Sequence, residues 1–193
     1  MHLRSFSCRA AAAALLLSGA ALLPGPLPGV IPPARALELN DSTYFRRPPW
    51  KVDLKSYYTN VWDTKAQYYF TVELAPDAGA SLGGLTIQQT RGVDRQFPFA
   101  VERTHAFLGR PRAEGAKVPV LASFDQASRR FTITFPEPVP PGSTITVALR
   151  PWYNPSQADT YMFQVTAFPA GPNPSPTPLG FGTLRIYGWS DVW

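Results

Sequence analysis

Residues 130–149 read "RFTITFPEPVPPGSTITVAL". Phe131, Ile133 and Phe135 alternate with threonines, and Ile145, Val147 and Leu149 repeat the alternation after a proline-rich elbow. A period of two turns one face of each segment toward a core and the other toward water, which is the signature of a half-buried strand. Between the two runs, Pro141 fixes φ for a reversal and Gly142 tolerates positive φ. The stretch therefore predicts two strands joined by a chain reversal.

The same period extends outward in both directions. In "AQYYFTVEL" (66–74), Tyr68, Phe70, Val72 and Leu74 share one face, and Gln67, Tyr69, Thr71 and Glu73 share the other. After the Gly-rich turn "PDAGASLGG", the run "LTIQQT" directs Leu85 and Ile87 inward, and "RGVD" (91–94) reads as the turn that follows it. "DTYMFQVTAF" (159–168) aligns Tyr161, Phe163, Val165 and Ala167, and "GTLRIYG" (182–188) aligns Leu184 and Ile186. "VDLKSYYTNVWDTKA" (52–66) fits either a strand or an irregular segment. A helical period is absent outside the leader. The expected fold is all-β, a single immunoglobulin-like β-sandwich of about seven or eight antiparallel strands.

"PAGPNPSPTP" (169–178) tests the domain count. It is a stiff, donor-poor run with the composition of a linker. Only one amphipathic strand follows it, and a lone strand cannot satisfy its backbone or bury its apolar face. Residues 169–179 are therefore expected to form a loop inside one domain. The expected organisation is a signal peptide over 1–36, an extended segment over 37–66 that packs on the domain, and the sandwich over 67–193.

The leader reading rests on a basic "MHLRSFSCR", an apolar "AAAALLLSGAALL" too short to span a bilayer, and small residues in "ARA" at 34–36. Cleavage after Ala36 predicts a mature chain beginning at Leu37. Arg4, Arg9 and Arg35 leave with the leader and no acidic residue does, so the formal net charge falls from +5 to +2. That near-balance argues against a nucleic-acid partner, which requires clustered Lys and Arg. The single cysteine, Cys8, also lies in the leader, so the mature domain is held by its core without disulfides. No transmembrane segment is expected in the mature chain.

Catalytic and metal chemistry find little support. His105 is the only histidine after the leader, no cysteine nucleophile remains, and no G-x-S-x-G elbow occurs. Zinc or copper needs several His or Cys ligands, and calcium needs grouped carboxylates, whereas the aspartates are scattered. No cofactor is expected. Aromatic residues are the one enrichment with functional content, in "YYTNVW", "QYYF", "PWY" and "YGWSDVW". Rings beside polar groups offer contact area at low entropic cost. Core packing accounts for most of them. The candidate binding surface comprises Tyr69, Arg91, His105, Trp152, Tyr153 and Trp189.

Taken in order, "QYYFTVELAPDAGASLGGLTIQQTRGVD", "THAFLGRPR", "ITFPEPVPPGSTITVALRPWYNP", "YMFQVTAFPAGPNP" and "LGFGTLRIYG" closely resemble an exported cyanobacterial family known as a domain of unknown function. The likeness spans roughly Leu39 to Gly188. It implies a cyanobacterial origin and an envelope location, and it transfers no catalytic residue. The expected function is a non-enzymatic module that is periplasmic, on the cell surface or extracellular, binding an envelope protein or glycan. The alternative is an envelope hydrolase or carbohydrate-active enzyme using two carboxylates among Glu73, Asp94, Glu102 and Asp125 brought together by folding.

Overall fold

The computed structural model describes residues 37–39 and 41–189; the leader expected over 1–36 and the tail 190–193 lie outside them. Twelve strands run in chain order: β1 (Leu37–Leu39), β2 (Ser42–Tyr44), β3 (Val52–Lys55), β4 (Tyr68–Glu73), β5 (Leu82–Arg91), β6 (His105–Arg110), β7 (Ala113–Val118), β8 (Leu121–Asp125), β9 (Arg130–Val139), β10 (Thr144–Leu149), β11 (Asp159–Pro169) and β12 (Thr177–Ile186). One short 3-10 turn, Val101–Arg103, interrupts the strands between β5 and β6. Ten of the strands form two antiparallel five-stranded sheets, ordered β3-β4-β10-β6-β7 and β12-β11-β5-β9-β8. The fold is the all-β immunoglobulin-like sandwich, with ten sheet strands where seven or eight are expected from sequence.

Each alternation becomes one wall of the core. Tyr68, Phe70 and Val72 of β4 and Ile145, Val147 and Leu149 of β10 are all buried. Facing them are Leu85 and Ile87 of β5, Phe131, Ile133 and Phe135 of β9, and Tyr161, Phe163, Val165 and Ala167 of β11. Rings interlock across the gap, with Phe163 at 5.6 Å from Phe70 and 5.9 Å from Tyr68. The segment that fits either strand or irregular structure supplies β3, an edge strand paired to β4 from Val52↔Val72 to Lys55↔Tyr69.

The proline run connects β11 to β12, neighbours in one sheet with Asp159 opposite Ile186. It is tied down by β2. The Thr43 amide donates to the carbonyls of Pro172 and Asn173 at 3.2 and 3.3 Å, its hydroxyl donates to Pro172 O at 2.7 Å, and its own carbonyl accepts from Ser175 N at 2.9 Å. Asn173 Nδ2 adds a bond to Asp41 O at 3.1 Å. A prolyl backbone gives up a donor wherever it sits, so the neighbouring carbonyls need outside partners, and the fully buried Thr43 provides them.

Two buried polar arrangements sit in this core. Arg129, only 2 % exposed, adopts φ +55 and lays its guanidinium over Phe97, Phe124 and Phe99 at 4.6, 5.1 and 5.4 Å. Its Nε donates to Gln89 Oε1 and its Nη1 to Gln126 Oε1, while Nη2 has no hydrogen-bond partner among the described residues; burial pushes its pKa down to about 10. The second arrangement is phenolic. Tyr161 donates to Gln157 O at 2.9 Å, and burial raises its pKa to about 12; burial raises that of Tyr68 as well.

An acid whose folded pKa is raised keeps its proton longer in the native state. Its stabilising contribution is complete below the unfolded value near 10 and fades as pH climbs through 12. Arg129 acts in the opposite sense above about 10, so phenolate absorbance rather than the melting curve is the clean readout. Of the eight tyrosines, Tyr68 and Tyr161 should ionise last in a spectrophotometric titration. Full ionisation of all eight near pH 10 in the folded protein would contradict their burial.

Candidate binding surface at one pole of the sandwich

Antiparallel order brings one end of each of the ten sheet strands to either pole, and seven of these ends frame one aromatic pole. A row across the first sheet runs Lys55, Tyr69, Ala148, His105, so the end of β3, the start of β4, the end of β10 and the start of β6 lie side by side. In the second sheet the start of β11 and the ends of β12 and β5 meet there, through Asp159↔Ile186 and Met162↔Arg91. A parallel bridge between Asn60 and Tyr187 joins the two sheets at this pole, with Val61 N on Tyr187 O at 2.9 Å and Tyr187 N on Thr59 O at 2.8 Å.

Asn154 organises the pole. It is fully buried, and its side chain uses all of its hydrogen-bonding capacity apart from one lone pair. Oδ1 accepts from the Tyr68 hydroxyl at 2.7 Å, and Nδ2 donates to the carbonyls of Tyr58 at 3.0 Å and Asn60 at 2.8 Å. Its backbone amide reaches Asp63 O at 3.0 Å. One residue from the β10–β11 loop thereby shapes the β3–β4 loop and presents what that loop carries.

What it carries is aromatic. Tyr57, Tyr58, Trp62, Trp152, Tyr187 and Trp189 are all exposed at this pole. Trp62 is 54 % exposed, stands at φ +61, and packs its ring on Tyr153 at 5.1 Å. A bulky residue in the left-handed region is held there against a cost of about 1–3 kcal/mol, and such positions concentrate at functional sites. Trp152 lies under the Arg103 guanidinium at 4.7 Å, and Tyr57 under that of Arg112 at 3.8 Å. Around the outer face of the first sheet, Tyr69 is 5.9 Å from Tyr57 and 6.5 Å from Phe107, and His105 stacks on Phe107 at 6.3 Å. The Tyr69 hydroxyl donates to Gln67 Oε1, and burial followed by the Glu114 carboxylate raises its pKa.

All six residues named from sequence stand at this pole. Tyr69 and His105 share the sheet row, Trp152 and Tyr153 occupy the β10–β11 loop, and Trp189 follows β12. Arg91 is exposed at the end of β5, opposite Met162 and outside the ring pairs. Sequence reasoning counted Trp62, Tyr57 and Tyr58 among the aromatic runs but left them out of the surface. It missed Asn154, Phe107 and Arg112. The one local signal for Asn154 is its position beside Pro155 in "PWYNP", a turn context for an amide side chain.

The strain at Trp62 is measurable. Glycine there relieves the left-handed backbone but loses the Tyr153 contact, worth about 0.5–1.5 kcal/mol, so the two changes nearly cancel. Alanine loses the same contact and keeps the strain. Trp62→Gly should therefore melt within a few degrees of wild type and above Trp62→Ala, by roughly 1 kcal/mol. The reverse order in thermal denaturation would mean that the backbone at 62 is unstrained.

The four carboxylates considered for hydrolysis have separate partners. Glu73 pairs with Arg110, which also holds Asp53 at 3.3 Å. Asp94 accepts from Ser156 N and Oγ at 2.8 Å each and from Gln96 N at 2.9 Å, which outweighs its burial and lowers its pKa. Asp125 closes its own turn through Ser128 Oγ at 2.6 Å and Ala127 N at 3.0 Å, and Glu102 neighbours Arg103 at 3.9 Å. Among the described residues, no group of three or more His, Cys, Asp or Glu side chains could hold a metal ion.

Comparison with known proteins places this geometry in context. A family model described as a protein of unknown function, DUF2808, matches residues 42–186. No curated protein matches the sequence. Among solved structures, the collagen adhesin of S. aureus is similar at 6% identity and a TM-score of 0.41, covering 73% of this chain and 50% of that one. The chain thus spans half the length of that adhesin structure. The collagen-binding subdomain of the Enterococcus faecalis surface protein ACE is similar at 12% identity and a TM-score of 0.40, covering 73% of this chain and 98% of the subdomain. A DUF4466 family protein from Parabacteroides merdae shares 9% identity at a TM-score of 0.45, over 72% of this chain and 46% of that one.

Proposed function

The chain belongs to the DUF2808 family of proteins of unknown function, and from that premise we propose that it is an exported, non-enzymatic binding module of a cyanobacterial envelope. Its mature form runs from Leu37, and its partner is an envelope protein or glycan held at the aromatic pole. One observation carries this reading: Trp62 is kept more than half exposed in a strained backbone, fixed by the Asn154 network beneath it. A ring held out at energetic cost has a use outside the fold. The surrounding Tyr57, Trp152 and Trp189 supply further stacking area of the kind that sugar rings and peptide chains both use. No helix among the described residues is long and apolar enough to cross a membrane.

The test is a tryptophan-emission titration of the mature protein with two probes, a purified envelope polysaccharide fraction and an envelope protein extract. Wild type should respond to one of them with saturation. Trp62→Gly and Trp152→Ala should each weaken that response by about tenfold or more, as truncation of a central aromatic anchor does. A saturable response that both variants reproduce unchanged would move the binding site elsewhere.

A further inference from the structure

We propose that the aromatic pole also receives the proline loop of a second copy, so that copies associate head to tail; the inference rests on the binding role given above to that pole. The loop is not a passive connection. Pro174, Pro176 and Pro178 are exposed, while the intervening Ser175 and Thr177 are half-buried, so three rings project from one side as a ridge. The ridge is rigid before any partner arrives, because β2 clamps it through Thr43 and because prolines have little backbone freedom to lose. Protection of a sheet edge accounts for Pro178, which lies within β12. It does not account for Pro174 and Pro176, which precede that strand.

A preformed run of exposed prolines is recognised by aromatic-lined surfaces, where the flat pyrrolidine edge stacks on Trp and Tyr without an ordering penalty. The chain displays such a surface itself, at Trp62, Tyr153, Trp152 and Trp189. The two features cannot meet within one molecule. The strand β11 runs from Asp159 at the aromatic pole to Pro169 at the loop, a separation of about 35 Å at the usual rise per residue. Two complementary surfaces at opposite poles make a heterologous contact, which adds copies in a row and closes only where the rotation between copies completes a ring. A patch of three prolines and a few rings is small, so single contacts form on the order of 0.1 mM and gain strength only in a row or on a crowded surface.

Sedimentation velocity of the mature protein, from about 10 μM to about 1 mM, reads the association directly. Wild type should shift to larger species as concentration rises. Trp62→Gly removes the aromatic anchor, and the double variant Pro174→Ser/Pro176→Ser removes the ridge outside β12. Each, shown folded by its melting curve, should stay monomeric alone. Mixed together they retain one intact pole apiece, so they should form a species that stops at one to one. A monomeric wild type over this range overturns the proposal, as does a mixture that stays monomeric or a variant that associates like wild type. A monomeric wild type that still binds an envelope fraction would leave the proposed function standing and remove only this inference.

Discussion

A Gly92→Ala protein is expected to lose about 2–6 kcal/mol of stability. Gly92 follows β5 at φ +126, a region L side chains rarely adopt. A Cβ built there would lie 2.1 Å from Cδ1 and 2.4 Å from Cε1 of Tyr161. That ring is fully buried, edge-on to Phe97 at 6.1 Å, and anchored by its hydroxyl to Gln157 O. Moving the ring aside would disturb its packing on Phe97 or break that hydrogen bond. Overpacking of this kind costs about 1–3 kcal/mol or more, and backbone strain adds about 1–3 kcal/mol. The sum reaches into the 5–15 kcal/mol margin of a typical domain. Gly180 supplies the control, since its φ is +86 but no atom of the described residues lies within 4 Å of its Cβ position. Gly180→Ala should lower stability by roughly 1 kcal/mol through the backbone alone. Urea denaturation of the pair separates clash from strain, and a Gly92→Ala midpoint equal to that of Gly180→Ala would show that Tyr161 yields freely.

Removing residues 180–193 is expected to unfold the domain rather than trim it. The deletion takes most of β12, with the buried Leu184 and Ile186, and all pairs from Val165↔Gly180 to Asp159↔Ile186. It also removes Tyr187, whose backbone fixes residues 59–61 beneath the aromatic loop. At about 2 kcal/mol for each buried aliphatic side chain, the packing loss alone approaches the lower end of a domain's stability. The inner face of β11 would then stand open to water at Phe163 and Tyr161. Far-UV circular dichroism against temperature decides the matter. A sharp melt near that of wild type would make β12 peripheral and the proline run a tether.

Strands with one wet and one dry face were legible in the sequence, because burial on one side only leaves a period of two. Those of β4, β9, β11 and β12 are visible in the sequence alone, and β10 alternates in residue type although Thr146 and Ala148 on its second face are buried too. The strand β7 has five exposed residues of six, so neither face is selected for apolar character and no alternation exists to be read. In β6 the opposite happens: Ala106 and Phe107 point to opposite faces, yet both are buried, Phe107 beside Tyr69 and His105 on the outer side of the sheet. The residues of the candidate surface were legible as ring types but not as a group. Their grouping depends on the bond between Tyr68 and Asn154, 86 residues apart, and on a positive φ at Trp62 that no local composition announces.

The clamp on the proline run has a kinetic consequence. The hydroxyl of Thr43 and the carbonyl of Pro172 are separated by 129 residues. The first residues of the domain to be synthesised must therefore wait for almost the last before they find their partners. Closing so long a loop is entropically slow, and folds dominated by such distant pairings reach the native state in milliseconds to seconds. During that interval β2 has only its local partner β1, and the Pro172 and Asn173 carbonyls are answered only by water. The β2 strand is thus expected to act as the latch of the domain, closing after the two sheets have met. Stopped-flow refolding of a Thr43→Ala variant should start at the wild-type rate and end in a state that unfolds faster, because a contact made after the transition state changes the exit and not the entry.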